Sequence, residues 1–549
     1  MTITPWWRDA VVYQIYPRSF ADSDGDGIGD LAGITARLSY LAELGVDAVW
    51  LSPFYTSPQR DGGYDVADHR AVDPSYGDLL AFDVMLEQAH DLGLRVIVDI
   101  VPNHSSDEHT WFRDALAASP GSPERARYVF RDGRGDNGVI PPNNWESWFG
   151  GPAWTRITEP DGSPGQWYLH LFDTSQPDFD WTNPEVREEM ESVLRFWLDR
   201  EVDGFRIDVA HGLVKADGLP DADLPYDQTR DITASQPMWD QPGVHEIYRS
   251  WRQLVDSYAV RGEDRDRLLC AEAWVEPPEA LARYVRRDEL HQSFNFHFLM
   301  TPWNAEALRH SVSESLAQAE SVGAPQTWVL SNHDVMRHAS RLGRRDATVR
   351  VNTDGVGPDD EQPDAELGLR RARAATAVML ALPGSAYLYQ GEELGLPDAV
   401  VPDEAIRDPT WERSGRSVRG RDGCRVPIPW ERGAPSYGFG PGSSAWLPQP
   451  PSYSALAVDQ QRTVTGSTLD FYKTLLSLRR ELRLGVSTLA WTDGYPDDVI
   501  AFTVGPVAVL ANLGAVPLPL ADGSTVLASS QPRAVGAPIA SDETVWLKV

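Results

Sequence analysis

The sequence predicts an α/β fold: a (β/α)8 TIM barrel with an inserted subdomain after strand 3 and a C-terminal antiparallel β-sandwich domain. Three observations carry this reading. Short β-branched runs alternate with helix-length amphipathic segments through most of the 549 residues, the signature of βα units. Most of those runs are too uniformly apolar for a sheet with one wet face, so the sheet is parallel and covered on both sides. The last part of the chain changes to short strands alone, which marks a separate antiparallel unit. Eight βα units favour closure into a barrel over the alternative, a doubly wound open sheet.

Taken in order, "AVVYQIYP" is the first strand, followed by a helix over Leu31–Leu44. "VDAVWLSP" is the second, with a helix over Leu79–Leu92, and "RVIVDIVPNH" is the third. A helix over Pro184–Arg200 leads into "VDGFRID"; the later strands are "LLCAEAW", "SFNFHF", "TWVLSNHD" and "SAYLYQG". Two intervals break the rhythm. His104 to Phe172, rich in Gly, Pro, Trp and Asn, is too long for an ordinary loop and reads as a small inserted domain. Leu394 to about Ser454 is a second loop-rich stretch. After the helix "LDFYKTLLSLRRELRL" come only short strands, as in "DVIAFTVGPVAVLANL" and "ETVWLKV". The expected division is 1–103 and 173–480 for the barrel, with the loop-rich subdomain at about 394–454, 104–172 for the insert and 481–549 for the tail. The chain has no internal repeat and no low-complexity tract.

Composition narrows the function classes. With 42% hydrophobic and 10% aromatic residues the chain has the makings of a large core. Its 81 acidic against 49 basic side chains give a formal net charge of -32. Such a field repels nucleic acid and anionic lipid, so neither is an expected partner. "MTITPWWRDAVV" lacks the basic start and apolar core of a signal peptide, and no apolar run approaches about 18 residues. Cys270 and Cys424 are too few for a disulfide framework or a zinc site and read as buried free thiols. A cytoplasmic protein is the expectation; the oligomeric state is not legible.

In such a barrel the reactive groups stand at the C-terminal ends of the strands. Strand three ends in Asp99, Asn103 and His104, strand four in Arg206 and Asp208, strand five in Glu272, and strand seven in His333 and Asp334. Any single acid there could merely cap the next helix; the whole set around one mouth is harder to explain that way. Arg206 and Asp208 leave the same face of their strand, and a guanidinium beside Asp208 is expected to lower its pKa and hold it ionised, as a carboxylate nucleophile requires. Glu272 follows the apolar "LLCA", a setting that favours the protonated form a general acid needs. Two carboxyls in opposed environments are equipment for glycoside hydrolysis, and a separation of about 5–5.5 Å would make the reaction retaining. Asp334 would then stabilise a cationic sugar ring, with His104 and His333 as donors to sugar hydroxyls. A metallohydrolase barrel is the alternative, but it usually carries an H-x-H strand, and none of these strands has one.

"DSDGDGIGD" (Asp22–Asp30) poses a separate question. Asp22, Asp24, Asp26, Gly27 and Asp30 match positions of a calcium loop, but Gly33 stands where an EF-hand needs a bidentate Glu, and no long helix precedes it. The EF-hand reading fails. What remains is a loop for a hard cation, with the Ile28 carbonyl completing the set, or a solvated acidic turn.

"DIVPNH" (Asp99–His104), "GFRIDVAH" (Gly204–His211), "EAW" (Glu272–Trp274) and "SNHD" (Ser331–Asp334) resemble, in order and spacing, the four motif regions of the α-amylase superfamily of glycoside hydrolases. "QPDFDW" (Gln176–Trp181) looks like a fifth, in the form of the α-glucosidase and oligo-1,6-glucosidase branch. The resemblance covers nearly the whole chain. It implies Asp208 as nucleophile, Glu272 as general acid/base and Asp334 as transition-state stabiliser. It implies sugar-binding roles for Asp61, Tyr64, His104, Gln176, Arg206 and His333, with Tyr64 stacking under the bound glucose. "RDGCR" places Arg421 and Arg425 four apart as in the exo-acting branch, where Arg425 and Asp61 would close the pocket around the non-reducing end. The acidic loop is similar to the branch's metal loop, with Asp22, Asp24, Asp26, Ile28 and Asp30 as ligands of a structural Ca2+, or Mg2+ as the alternative. No organic cofactor is implied.

The expected activity is therefore that of a retaining exo-acting α-glucosidase on short α-1,4- or α-1,6-linked oligosaccharides, with transglucosylation as an accompanying reaction. A dedicated α-glucosyltransferase and an endo-acting α-amylase are the rivals. A catalytically silent binding subunit is the third, disfavoured because all three acids are present. In the branch that the chain resembles, Val after the nucleophile, here Val209, goes with tolerance of α-1,6 linkages and Thr more with α-1,4; the Ala210-His211 that follows is not the commonest continuation, so linkage stays open. "SRLGRRD" is closer to hydrolases than to the arginine-rich loop of sucrose isomerases.

Overall fold

A computed structural model describes residues 5–223, 236–259, 266–345 and 355–549. "SRLGRRD" runs past residue 345 and lies partly outside them. Eight strands form one parallel sheet: β1 (Val11–Ile15), β2 (Ala48–Leu51), β3 (Arg95–Ile100), β4 (Gly204–Ile207), β5 (Leu268–Ala271), β6 (Gln292–Ser293), β7 (Thr327–Val329) and β8 (Ser385–Tyr389). Neighbours in sequence are neighbours in space, and β8 returns to pair with β1, Val11 opposite Ala386. Between β6 and β7 the Asn295 N–H donates to the Thr327 carbonyl at 2.9 Å, bridging the remaining seam. Strands β1, β2, β4 and β5 are buried at every position, as expected of a sheet walled in on both faces.

Each strand is followed by a helix: α1 (Leu31–Leu44), α2 (Leu79–Asp91), α3 (Pro184–Leu198), α4 (Val244–Asp256), α5 (Pro278–Tyr284), α6 (Ala305–Val322), α7 (Ala365–Ala381) and α8 (Thr468–Glu481). Local chemistry sets their starts. Asp30, Asp78, Asn183, Asn304, Asp364 and Ser467 each accept an N–H of the first turn. Gly45, at φ 98, ends α1 in the left-handed conformation that costs glycine least.

One expected strand is different. "SFNFHF" contributes only Ser293 to β6; Asn295 then caps a short helix over Phe296–Met300, its Oδ1 accepting from the Phe298 N–H at 2.9 Å. An apolar run of that length is ambiguous between strand and buried helix, and the asparagine decides it.

Between β3 and α3 the chain forms a three-stranded antiparallel sheet from Phe130–Arg131, Pro164–Leu169 and Trp154–Thr158, together with a helix over Thr110–Ala117. The tail forms a five-stranded antiparallel sheet: β9 (Leu489–Trp491), β10 (Val499–Val504), β11 (Val507–Asn512), β12 (Val526–Ser529) and β13 (Glu543–Lys548). One face meets α7, where Trp546 Nε1 donates to the Ala377 carbonyl and Thr544 Oγ1 to that of Ala374, both at 3.0 Å. The other covers a small core of Leu510, Val545 and Leu547 under the Leu518–Ile539 bridge. Among the described residues no helix is long and apolar enough to cross a membrane.

Candidate active site

The C-terminal ends of the barrel strands converge on one buried guanidinium. Arg206, on β4, places Nη1 2.7 Å from Asp208 Oδ1 and 3.0 Å from Asp99 Oδ1, and Nη2 2.7 Å from Glu272 Oε2. Arg206 and Asp208 share a strand face, Asp99 comes from β3, and Glu272 directly follows β5. One cation thus bridges three carboxyls contributed by three neighbouring strands. Asp99 also accepts from Trp50 Nε1 and the Tyr64 hydroxyl, each at 3.1 Å.

A second cationic group faces the first. Asp334 Oδ1 accepts from Arg421 Nη1 at 2.9 Å and Arg425 Nη2 at 3.0 Å, and its Oδ2 lies 3.1 Å from His333 Nε2. Arg421 reaches on to Asp61 Oδ1 at 2.6 Å and is itself held by Asp408. Gln176 Nε2 donates to Asp61 Oδ2 at 3.0 Å and lies 3.1 Å from His104 Nε2. The Tyr64 ring stacks on His333, centroids 5.1 Å apart and 9° from parallel.

These groups bound one cavity. Asp61, Tyr64, His104, Asp208, Glu272, Asp334 and Arg421 line it; Arg206, His333, Gln176 and Arg425 are fully buried behind them. The expected Arg425–Asp61 closure is therefore corrected. Arg421 is the residue that pairs with Asp61, while Arg425 stands behind Asp334 with its Nε on the His333 carbonyl at 2.8 Å. The remaining wall is mostly aromatic: Trp148, Phe149, Phe172, Trp239 and Trp274, with the His211 ring tilted against Trp239. Sequence reasoning named none of these tryptophans or phenylalanines as wall residues; Trp274 ends the motif "EAW", and no motif marks the other four. Gln14 and Trp50 were missed as well, being ordinary strand residues until Gln14 Nε2 is seen 2.7 Å from His333 Nδ1.

The electrostatics correct one further expectation. Burial pushes the Asp208 carboxyl well above its ordinary range; Arg206 opposes this, but Glu272, Asp99 and Asp334 push the same way as burial. Asp99 is likewise pushed up by burial, to about 7, against Arg206. At Asp334 burial is outweighed: His333, Arg421 and Arg425 hold that carboxyl well below the usual range. Burial lowers His104 to about 4 and His333 well below its ordinary value, so both imidazoles are neutral at neutral pH. The site thus sets one acid held ionised, Asp334, opposite two, Asp99 and Asp208, that burial makes harder to ionise.

In the acidic loop, ligand oxygens of Asp22, Asp24 and Asp30 lie within 4.8 Å of one another. Three carboxylates gathered so closely are a donor set for a hard cation such as calcium or magnesium. Asp26 stands apart from this trio, its Oδ1 accepting from the Ile28 N–H at 2.7 Å. Asp30 doubles as the α1 cap.

The family profile described as "Alpha amylase, catalytic domain" matches residues 14–486. The chain belongs to the α-amylase family and is a glycoside hydrolase. Among curated relatives it is similar to a probable alpha-glucosidase of Rhizobium meliloti (strain 1021), 38% identical over 497 residues, covering 86% of this chain and 82% of that one. An oligo-1,6-glucosidase of Parageobacillus thermoglucosidasius is 35% identical over 509 residues, covering 87% and 84%. Among solved structures, an alpha-glucosyl transfer enzyme superposes with a TM-score of 0.84 at 36% identity, covering 99% of both chains. The trehalulose synthase MutB from Pseudomonas mesoacidophila MX-45 gives 0.84 at 30% identity, also covering 99% of both.

Proposed function

We propose that this chain is a retaining, exo-acting α-glucosidase that removes terminal non-reducing α-linked glucose from short oligosaccharides and transfers part of it to other sugars. The observation that carries this is the bridging of Asp208 and Glu272 by Arg206 at the foot of a pocket closed by the Asp61–Arg421 pair. Two carboxyls on one guanidinium are the close pair of a double-displacement mechanism. Closure beside them leaves room for one terminal glucose.

Asp208 is the nucleophile: Oδ1 is held by Arg206, which leaves Oδ2 for the anomeric carbon. Glu272 protonates the glycosidic oxygen as the C1–O bond breaks and the bond to Asp208 forms. Water, or a sugar hydroxyl, then attacks C1, returns a proton to Glu272 and releases Asp208. Asp334, ionised between two arginines, stabilises the cationic ring of each transition state. Neutral His104 and His333 keep Tyr64 and Asp334 in place. The relatives named alpha-glucosidase and oligo-1,6-glucosidase support hydrolysis of α-glucosidic bonds, with the linkage open between α-1,4 and α-1,6, and the structural likeness to transfer enzymes supports the accompanying transfer. The trio Asp22, Asp24 and Asp30 would hold a structural Ca2+, Asp26 and the Ile28 carbonyl joining on binding. The protein would act in the cytoplasm.

Maltose, isomaltose, sucrose and maltoheptaose offered separately test the reading. Glucose should be the first product of at least one disaccharide, and maltoheptaose should shorten one residue at a time. Early maltotriose and maltotetraose would mean an open, endo-acting cleft, and larger saccharides ahead of glucose would mean a dedicated transferase.

A further inference from the structure

The two oxygens of Glu272 stand in unlike surroundings. Oε2 accepts from the Val209 N–H at 3.1 Å and lies 2.7 Å from Arg206 Nη2. Oε1 accepts from Trp274 Nε1 at 3.1 Å. That indole is fixed in turn: it lies on Phe296 with centroids 3.6 Å apart and planes 4° from parallel, and both rings are buried. Phe296 opens the short helix capped by Asn295, whose Nδ2 is anchored on Ser315 at 2.8 Å.

Val209 adds an independent observation. Its φ is 45°, in the left-handed region where a β-branched residue is an outlier. Outliers of this kind persist where the surroundings demand them, and they gather at reacting groups. Here the conformation sits between Asp208 and the N–H that meets Glu272.

We propose that Trp274, clamped by Phe296, is a positioning residue for the proton donor, and that together with the Val209 N–H it makes Oε1 of Glu272 the oxygen that delivers the proton. This rests on the reading of Glu272 as general acid. A proton on Oε2 would face a guanidinium and an N–H, both donors with nothing to accept it. A proton on Oε1 leaves a lone pair for the indole N–H and points the O–H into the cavity that Glu272 and Trp274 both line. The proton passes from Oε1 to the glycosidic oxygen, the C1–O bond breaks, the bond from Asp208 to C1 forms, and the leaving group departs as a neutral alcohol. The strained residue beside the nucleophile and the stacked indole thus set the aim of one acid from two sides.

The test uses aryl α-glucosides of similar shape whose phenols differ in acidity, and kcat/KM, which reports the bond-breaking step. Trp274→Phe keeps a ring against Phe296 and removes the N–H; Glu272→Gln serves as the reference for a lost acid. Trp274→Phe should stay near wild type for the most acidic phenol and fall about tenfold or more for the least acidic, a fraction of the ~10²–10⁴ that acid–base catalysis supplies. Phe296→Leu, which keeps the N–H but loosens its clamp, should show a smaller loss with the same trend. Loss by one factor across the series in both variants, or no loss, would overturn the proposal and leave the glucosidase reading intact. A wild-type protein inactive on every member would overturn both.

Discussion

Asp208 and Arg206 illustrate how far a motif reaches at the scale of a residue. Their two-residue spacing correctly put both side chains on one strand face, but the charge balance depended on Asp99 and Glu272, which arrive from other strands. Spacing within a strand is local; the sharing of one guanidinium among three acids is not. The same limit explains Arg421. "RDGCR" offers two arginines a helical turn apart, and only the packing of Asp408 and Asp334 decides which of them meets Asp61. Arg421→Ala should therefore be the more damaging opening of the pocket. It leaves Asp61 buried without its cation, a loss of about 3–5 kcal/mol when one partner of a buried pair goes. We expect kcat/KM for maltose to fall at least a hundredfold, about 2.7 kcal/mol, and maltoheptaose to yield products longer than glucose from the start. Exclusive glucose release by that variant would show that another group closes the pocket.

At the scale of the element, β6 and β8 carry the instructive cases. The barrel strands were legible because burial on both faces writes an unbroken apolar run, and the helix starts because Asp, Asn and Ser precede them. β6 was misread since "SFNFHF" is equally apolar as strand or helix, and the choice falls to Asn295, which caps a helix and also ties the seam to β7. Asn295→Ala should cost about 1–2 kcal/mol and lower the thermal midpoint. An unchanged midpoint would mean that the cap is dispensable. Just after β8, burial pushes Glu392 up to about 8 from an ordinary 4.5, its Oε1 accepting from the Tyr389 N–H at 3.0 Å. The folded state therefore keeps a proton that the unfolded chain releases between those values. Stability from this group is lost as pH rises through that window. Glu392→Gln should flatten the decline, its thermal midpoint gaining on the wild type between about pH 5 and about pH 8; parallel curves would contradict the assignment.

For the whole molecule, the acidic loop links the front of the barrel to the loop-rich stretch before α8. The Asp22 N–H donates to the Phe439 carbonyl at 2.8 Å, and Gly440 approaches the Asp22 carboxylate so closely that a Cβ there would lie 2.4 Å from it. A cation held by Asp22, Asp24 and Asp30 would fasten this junction from inside. Chelation should lower the thermal midpoint and calcium restore it, by about 2.7 kcal/mol when the ion is at ~100 times its dissociation constant, with product specificity unchanged; a midpoint indifferent to chelator would remove the ion from the account. The layout of the barrel, insert and tail was visible in rhythm alone, whereas the aromatic wall of Trp148, Phe172 and Trp239 was not. Those rings come from loops without periodicity, and only the closed fold brings them to one cavity. The central claim is that a terminal glucose leaves by way of a covalent bond to Asp208. Time-resolved NMR of the released sugar tests it most directly. The account predicts that α-glucose appears first, mutarotates only later, and is absent with Asp208→Asn; β-glucose as the first product would contradict it.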